Sequence, residues 1–264
     1  MSVAKATSQT IPDRIDPARA AAMHQVMARP GLPPGPGTAL PAFWHQIYFW
    51  DVQPPGALGD DGHPATGTLI PDLGLPKRMW AGGRLTFHAP FLCAVQATRT
   101  TSLRAVTRKT GRTGELAFVT LRHEVRQRGG LVLSEDQDLV YRAADATPGD
   151  PPEPPTGGRL RETRRFDATT LFRYSALTMN GHRIHYDADY ARSAEAYPGL
   201  VVHGPLLAQC LIVLAELDLG TLSAFSFRAT APVFAGQMVR FYSDAGRYWV
   251  IGGDDQLCMS AEAT

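Results

Sequence analysis

Three chemically useful groups lie close together in the segments NGHRIHYD (180–187) and GLVVHG (199–204). Asn180 carries an amide that can orient a water molecule, and His185, five residues later, carries an imidazole that can move a proton near neutral pH. Gly204 follows His203 and precedes a long apolar segment, so we expect it at a helix N-terminus. The unpaired N–H groups there can hold an oxygen that gains negative charge. Together, these groups could add water to the double bond of an unsaturated thioester.

The composition narrows the class of protein. A chain of 264 residues, 44% hydrophobic and with net charge +1, can bury a sizeable core and gives no electrostatic reason to expect a nucleic acid or an anionic membrane as partner. Its three scattered cysteines match neither a metal site nor a disulfide framework, which favours a reducing compartment. No apolar run approaches the ~20 residues that span a bilayer, and the N-terminus lacks the apolar core of a signal peptide. We expect a cytoplasmic protein.

The elements that must position these groups fall into two halves, which we predict as domains 1–145 and 166–264, joined by a Pro/Gly-rich and then charged linker, 146–165. In the first half we predict a helix over 16–27, a short helix over 42–49, a long irregular stretch over 51–78 and then strands. In the second half we predict helices over 188–196 and 205–217, followed by strands over 222–229, 237–243, 248–252 and 256–261.

A faint internal repeat supports this division. The phrases RLTFHAPFLCAVQATR (84–99) and FSFRATAPVFAGQMVRF (225–241) both contain Ala-Pro followed by an apolar pair, and both lead into a strand. They occupy similar places in the two halves. Each half is therefore expected to consist of a helix wrapped by an antiparallel sheet.

The segment YSALTMNGHRIHYDADYARSAEAYPGLVVHGPLLAQ resembles the MaoC-like enoyl-CoA hydratases, or R-specific hydratase 2. The phrases PAFWHQIYFW, LGDDGHPATGTLIP and PKRMWAGGRLTFHAP are similar to the FAS1-like dehydratase half that is fused to such enzymes. Together they resemble the mesaconyl-C4-CoA (3-methylfumaryl-CoA) and itaconyl-CoA hydratases. The resemblance implies an α+β double hotdog, packed as a pseudo-dimer with one catalytic half, that acts as a hydro-lyase on an acyl-CoA.

The resemblance also assigns roles to the residues. It implies that His185 is the acid and base, and that the backbone N–H near His203 and Gly204 binds the thioester oxygen. The hydratase 2 pattern has Asp where this chain has Asn180, so Asn180 would position the water and His185 alone would carry protons. Asn180 as a turn residue, Gly204 as a plain tight turn and Asp187 as a helix cap are the structural alternatives.

Cationic residues are harder to choose. A substrate carboxylate needs a guanidinium near it, and position suggests Arg84 or Arg183, although both could be solvated surface residues. Asp60, Asp61 and His63 lie in a Gly/Pro-rich loop that we interpret as covering the substrate or an interface rather than as a metal site. We expect no cofactor beyond the CoA of the substrate, and pairing of two double hotdogs into a homodimer is possible.

Other functions remain open at this point. A hydratase of straight-chain enoyl-CoA or acyl-ACP would need the same residues. A hotdog thioesterase usually relies on a carboxylate on the central helix, where Glu216 is the only acid lying deep in the helix, far from its N-terminus. A non-catalytic acyl-binding subunit would not need His185.

Overall fold

The computed structural model describes residues 8–67, 69–111, 114–144, 149 and 151–264. Ten strands in these residues form one antiparallel sheet in the order β1-β3-β4-β5-β2-β7-β10-β9-β8-β6. The strands are β1 Ser8–Arg14, β2 Lys77–Phe87, β3 Gln96–Gly111, β4 Gly114–Gln127, β5 Gly130–Arg142, β6 Arg159–Arg165, β7 Ala224–Ala229, β8 Met238–Asp244, β9 Arg247–Ile251 and β10 Leu257–Ala263. From either outer edge inwards, the order is first, third, fourth, fifth and second strand of that half. Two copies of one five-stranded unit therefore lie side by side.

The two units join along β2 and β7, where residues 82–86 pair with residues 224–228. The two phrases of the predicted repeat lead out of these central strands into β3 and β8. Each phrase also forms an isolated bridge to the chain just ahead of a helical element, Leu92 to Ala39 and Phe234 to Val201. The repeat in the sequence is thus a repeat in the structure.

The helices differ between the units. Helix α1 (Pro17–Val26) follows β1, and α2 (Ala168–Thr178) follows β6, so these two are equivalent. The second unit then adds the short α3 (Ala188–Ser193) and the long α4 (Gly204–Leu219), which packs against β2, β7, β9 and β10. At the place equivalent to α4, the described part of the first unit has a single 3₁₀ turn, Trp44–Ile47. The expectation of a central helix in each half is therefore met only in the second.

Packing explains the difference. Helix α4 is apolar on almost every side, and ten of its residues are buried, as the sequence predicts for a helix enclosed by a sheet. In the first unit, bulky aromatic side chains do this packing: Phe43, Trp44, Tyr48 and Phe49 are each at most 1% exposed. Aromatic rings bury 150–250 Å2 each, so a few of them can replace a helix in a core.

Two strands were not predicted, and both lie at the edges of the sheet. Strand β1 is polar and half exposed, so it lacks the apolar alternation that marks a strand. Strand β6 forms the last seven residues of the predicted linker 146–165. Its charged, arginine-rich sequence resembles that of a linker. Charged side chains are typical of edge strands because they prevent pairing with other chains. The boundary at 145–146 itself lies outside the described residues.

The other predicted elements are found close to where they were expected. A two-residue turn joins β4 to β5, with Arg128 and Gly129 both at positive φ, as such a hairpin requires. Among the described residues, no helix is long and apolar enough to cross a membrane.

Candidate active site

A cavity of about 600 Å3 lies between the two units. Strands β2 and β5 of the first unit form one side of it. The second unit contributes the loop after α2, the start of α4 and the segment that follows β7. The polar residues on its wall include Arg78, Arg142, Asn180, His182, His185 and Tyr197. Gly204 also lines it, so three of the predicted site residues meet in one cavity.

Asn180 is held by the end of α2. The helix closes at Met179, which has left-handed backbone geometry, and the Asn180 N–H donates to the carbonyl of Ser175 at 2.9 Å. The side-chain oxygen of Asn180 accepts a hydrogen bond from the backbone N–H of His182 at 3.0 Å. Asn180 is thus both a turn residue and part of the cavity wall. With its oxygen engaged, the amide has its NH2 group to offer to a water molecule.

His185 is buried and its orientation is fixed. Its Nδ1 donates to the carbonyl of Val201 at 2.7 Å, which leaves Nε2 as the nitrogen with the lone pair. Burial lowers the pKa of His185 to about 4, an effect that the hydrogen bond to Val201 only partly offsets. At neutral pH the imidazole is therefore uncharged and ready to accept a proton.

The His203 ring stacks against the ring of His185. It is fully buried and lies parallel to the His185 ring, with centroids 3.6 Å apart. Its Nε2 is 2.8 Å from the hydroxyl of Ser175, and its other face is against Tyr174. Burial holds the pKa of His203 well below its usual value, and neighbouring His185 and His182 lower it further. The His203 side chain thus packs against the rings of His185 and Tyr174.

Gly204 begins α4 and offers an unpaired donor. The next residue, Pro205, has no N–H, and the N–H groups of Leu206 and Leu207 both reach the carbonyl of His203. Among the described residues, the Gly204 N–H has no partner. A methyl group at Gly204 would lie 3.7 Å from the carbonyl oxygen of Trp80, which is ordinary contact. The packing of the protein itself therefore does not demand a glycine here.

The loop GDDGH (59–63) of the first unit packs against residues 180–187 of the second unit, which carry Asn180 and His185 and which we call the catalytic loop. The carbonyl of Asp61 accepts the backbone N–H of Arg183 at 2.9 Å, and the rings of His63 and His182 lie 4.9 Å apart. Gly62 and Gly181 touch through their backbones: a Cβ on Gly62 would lie 2.1 Å from the Gly181 oxygen. This agrees with an interface loop. The described residues contain no group of three His, Cys, Asp or Glu side chains that could hold a metal ion.

The two arginines predicted from position do not line the cavity. Arg84 is half exposed, bonds to Asp138 and lines a separate hollow. Arg183 pairs with Asp187 at 2.7 Å and lies over the ring of Tyr190. Asp187 also caps α3 by accepting the N–H of Tyr190, as expected. The arginines on the cavity wall are instead Arg78, Arg142 and Arg228.

A β-bulge places Arg78 and Arg84 on opposite faces of the sheet. Along a regular strand, Arg78 and Arg84 would face the same side, because side chains alternate. In β2 the pairing shifts between Trp80 and Gly82, where an extra residue is inserted opposite β5. An extra residue reverses the alternation, so the two arginines face opposite sides of the sheet. Nothing in the sequence marks this bulge apart from the pair of glycines next to it.

The comparisons with known proteins agree with this geometry. The sequence profile of the hydroxyacyl-thioester dehydratase type 2 family matches residues 43–235. A mesaconyl-C4-CoA hydratase from Chloroflexus aurantiacus is 42% identical over 231 residues, which is 86% of this chain and 82% of that protein. The chain belongs to the hydroxyacyl-thioester dehydratase type 2 family. It is a hydro-lyase, as the resemblance implied.

Solved structures confirm the fold. The crystal structure of HtdX from Mycobacterium tuberculosis superimposes with a TM-score of 0.70 at 17% identity, covering 97% of this chain and 98% of that one. A second M. tuberculosis protein, described as a double hotdog, gives a TM-score of 0.64 at 15% identity and covers 99% of this chain and 96% of its own. The fold is the predicted double hotdog of the MaoC-like dehydratases, and the candidate site lies at the junction of the two hotdogs.

Proposed function

We propose that this protein reversibly adds water to a short branched dicarboxylic enoyl-CoA, interconverting mesaconyl-C4-CoA or itaconyl-CoA with citramalyl-CoA. The observation that carries the proposal is the convergence of Asn180, His185 and Gly204 on one cavity. The 42% identity to a mesaconyl-C4-CoA hydratase supports the choice of acyl group. The reaction requires no metal and no cofactor other than the CoA of the substrate.

In this mechanism, water lies between the amide NH2 of Asn180 and Nε2 of His185. In mesaconyl-C4-CoA, whose double bond is conjugated with the thioester, the proton of the water passes to Nε2 as its oxygen attacks Cβ, and the electrons of the double bond move onto the thioester oxygen. His185 then returns the proton to Cα. The lowered pKa of His185 keeps the base neutral before attack and makes its protonated form give the proton up readily, although the same shift makes the imidazole a weaker base.

The thioester oxygen is placed against the N–H of Gly204. This donor is unpaired within the described residues, and it lies at the N-terminus of α4, where the helix dipole favours negative charge. Since the packing of the protein does not require glycine here, close approach of the substrate is the reason we infer for it.

The CoA portion of the substrate must extend out of the cavity towards solvent. Beside it lies a hollow of about 880 Å3 that shares Arg78 and Glu195 with the cavity wall and is also lined by Arg183 and Lys77. Arg183 therefore stays a candidate for the CoA end of the substrate. Arg84, on the other side of the sheet, has no place in this proposal.

The position of Glu216 argues against a thioesterase, because this carboxylate is engaged in other contacts. Glu216 lies near the C-terminal end of α4, where it pairs with Arg29 at 2.9 Å and accepts the N–H of Ala42 at 2.8 Å. It ties α4 to the first unit and is far along the helix from Gly204. A straight-chain enoyl-CoA hydratase remains the alternative that substrate tests must separate from the proposal.

The test is a substrate panel. The loss of enoyl-thioester absorbance is followed with mesaconyl-C4-CoA, mesaconyl-C1-CoA and crotonyl-CoA, for the wild type and for His185→Ala, and itaconyl-CoA, whose double bond is not conjugated with the thioester, is followed by chromatography of citramalyl-CoA. We expect the highest kcat/KM with a C4-acyl dicarboxylic substrate and a loss of activity in the variant. Hydration of crotonyl-CoA alone would favour the straight-chain alternative, and activity unaffected by the substitution would reject the assignment of His185.

Two further points belong to the proposal. We place the protein in the cytoplasm, which the three buried free cysteines support because they suit a reducing compartment. We also propose that two double hotdogs pair as a homodimer, which light scattering coupled to gel filtration tests directly.

A further inference from the structure

The chemistry of the proposed substrate says where its carboxylate must lie, and this inference rests on the proposed function. In mesaconyl-C4-CoA the free carboxylate is attached to Cβ, the carbon that water attacks. The group that binds it must therefore lie beside the residues that hold the water, Asn180 and His185. A cation there also offsets the repulsion between the carboxylate and the incoming oxygen, which gains negative charge as it loses its proton.

Arg78 meets this requirement. It lies on β2, and it lines the same cavity as Asn180, His182 and His185. Its side chain is only 14% exposed. It is close enough to His182 for its charge to contribute to the lowered pKa of that histidine, after burial and the effect of His185. The guanidinium is thus in the cavity wall next to the catalytic loop.

The hydrogen-bonding capacity of Arg78 is poorly used. Its Nε is buried and has no hydrogen-bond partner among the described residues. Two oxygens approach the guanidinium only at the limit of hydrogen bonding: Oδ2 of Asp61 is 3.5 Å from Nε, and the hydroxyl of Tyr141 is 3.5 Å from Nη1. A buried donor without a partner costs free energy, so the site gains when an anion arrives. Nε2 of neighbouring His182 is likewise buried and unpartnered in the described part of the chain.

The other two arginines on the wall are less suitable. Arg142 is bonded to the hydroxyl of Tyr197 at 3.1 Å, and Glu195 lies near both of these groups. Arg228 is exposed at the margin of the cavity and also lines the hollow around Arg84. Only Arg78 combines a buried, unpartnered donor with a place beside the catalytic loop.

We propose that Arg78 binds the Cβ carboxylate of the substrate and so selects dicarboxylic over monocarboxylic enoyl-CoA. Asp61 holds the guanidinium in place while the cavity is empty and yields to the shorter, two-pronged bond that a carboxylate can make. The loop of the first unit that positions the catalytic loop thereby also positions the specificity residue.

The first test uses turnover. Arg78→Gln is compared with Arg84→Gln, a matched change on the same strand but on the opposite face. We expect Arg78→Gln to lower kcat/KM for mesaconyl-C4-CoA about 100-fold, as for the loss of two charged hydrogen bonds. We expect its effect on crotonyl-CoA, which carries a methyl group and a hydrogen on Cβ where mesaconyl-C4-CoA carries a carboxylate and a methyl group, to be below about threefold. Arg84→Gln should change neither. Equal losses on both substrates, or selectivity lost in the Arg84 variant, would overturn the proposal.

The second test does not depend on turnover. Succinyl-CoA and butyryl-CoA are unreactive towards hydration and differ by a carboxylate against a methyl group on Cβ. By calorimetry, the wild type should bind succinyl-CoA more tightly, and Arg78→Gln should remove that preference. A wild type without this preference would reject the role of Arg78. A wild type that shows it but does not hydrate mesaconyl-C4-CoA would instead reject the proposed function and leave Arg78 as a carboxylate site.

Discussion

The two hotdog units share a strand order but use their buried ionisable groups in opposite ways. In the second unit, the polar groups around His185 open onto a cavity. In the first unit, His45 and Glu135 form a closed pair, with Nε2 and Oε2 2.8 Å apart and both side chains 2% exposed. The second unit has a long helix whose N-terminus points to the cavity, and the first has an aromatic turn at that place. The fold alone therefore does not create the site; the loop after α2 and the start of α4 do.

The first unit also contacts the candidate site. It supplies one wall of the cavity and the loop that touches Gly181. Its buried polar cluster extends from Glu135 to His123, which bonds to Thr101 and Gln137 and whose pKa burial lowers to about 4. We infer that this cluster stabilises the wall, while the second unit carries the proton chemistry.

The largest expected effect comes from exchanging a buried histidine in each unit. His185→Gln should lower kcat about 1,000-fold, as for the loss of a general acid and base, with little loss of stability. His123→Gln should lower the free energy of unfolding by about 1–2 kcal/mol while leaving kcat of the folded protein within about threefold. Steady-state kinetics and urea unfolding measure both. Comparable kcat losses in the two variants would contradict the division of labour.

The second prediction concerns the buried pair of His45 and Glu135. Glu135→Gln removes the negative charge of a buried carboxylate; burial raises the pKa of Glu135, but the hydrogen bond from His45 and the nearby His123 and Arg99 outweigh it, so the pKa is lowered. We expect the free energy of unfolding to fall by about 3 kcal/mol, because the buried guanidinium of Arg99 loses a compensating charge and the hydrogen bond from His45 loses its charged acceptor. Glu124→Gln, at a partly exposed carboxylate on the neighbouring strand, is the control and should cost less than about 0.5 kcal/mol. Equal losses would mean that the buried pair has no special role.

The third effect tests the contact between the units. Gly62→Ala puts a methyl group 2.1 Å from the Gly181 oxygen and also strains a backbone at φ +86°. Gly74→Ala is the matched control, because φ is +67° there and nothing lies within 4 Å of the added carbon. Both should lose about 1 kcal/mol of stability from the strained backbone. Only Gly62→Ala should lower kcat, by roughly 10- to 100-fold, because the displaced Gly181 moves Asn180. A similar kcat in the two variants would show that the loop contact is not transmitted to the site.

The sequence predicted more of the second unit than of the first. The segment from Asn180 to Gly204 has caps, an apolar helix and chemistry within a short stretch, so local rules predict both its structure and the site. Arg78 depends on a bulge and on long-range pairing with β5, which no local pattern encodes. Strand β1 and strand β6 are edge strands whose polar residues read as coil or linker. The buried pair of His45 and Glu135 joins residues 90 positions apart, and neither residue type predicts burial.

The last effect is on pH dependence, and it also distinguishes the units. Burial lowers the pKa of His123 and His185 to about 4 and of His182 to about 3, whereas an unfolded chain binds protons on histidine near pH 6.5. As the pH falls from 6.5 to 4, the unfolded state gains protons that the folded state does not. The free energy of unfolding therefore falls, by up to about 1.4 kcal/mol per pH unit for each of these histidines.

Urea unfolding between pH 7.5 and 5 measures this slope. His182→Gln and His123→Gln should each reduce it by the share of one histidine, since the carboxylates contribute equally in all the variants. The pH profile of kcat/KM separates catalysis from stability: in folded wild-type protein, activity should be lost only as the pH falls through about 4, when His185 takes up a proton. An activity loss centred near pH 6.5 would mean that His185 is solvated in the working enzyme. The reacting form of the enzyme would then not be the one in which the His185 imidazole is buried.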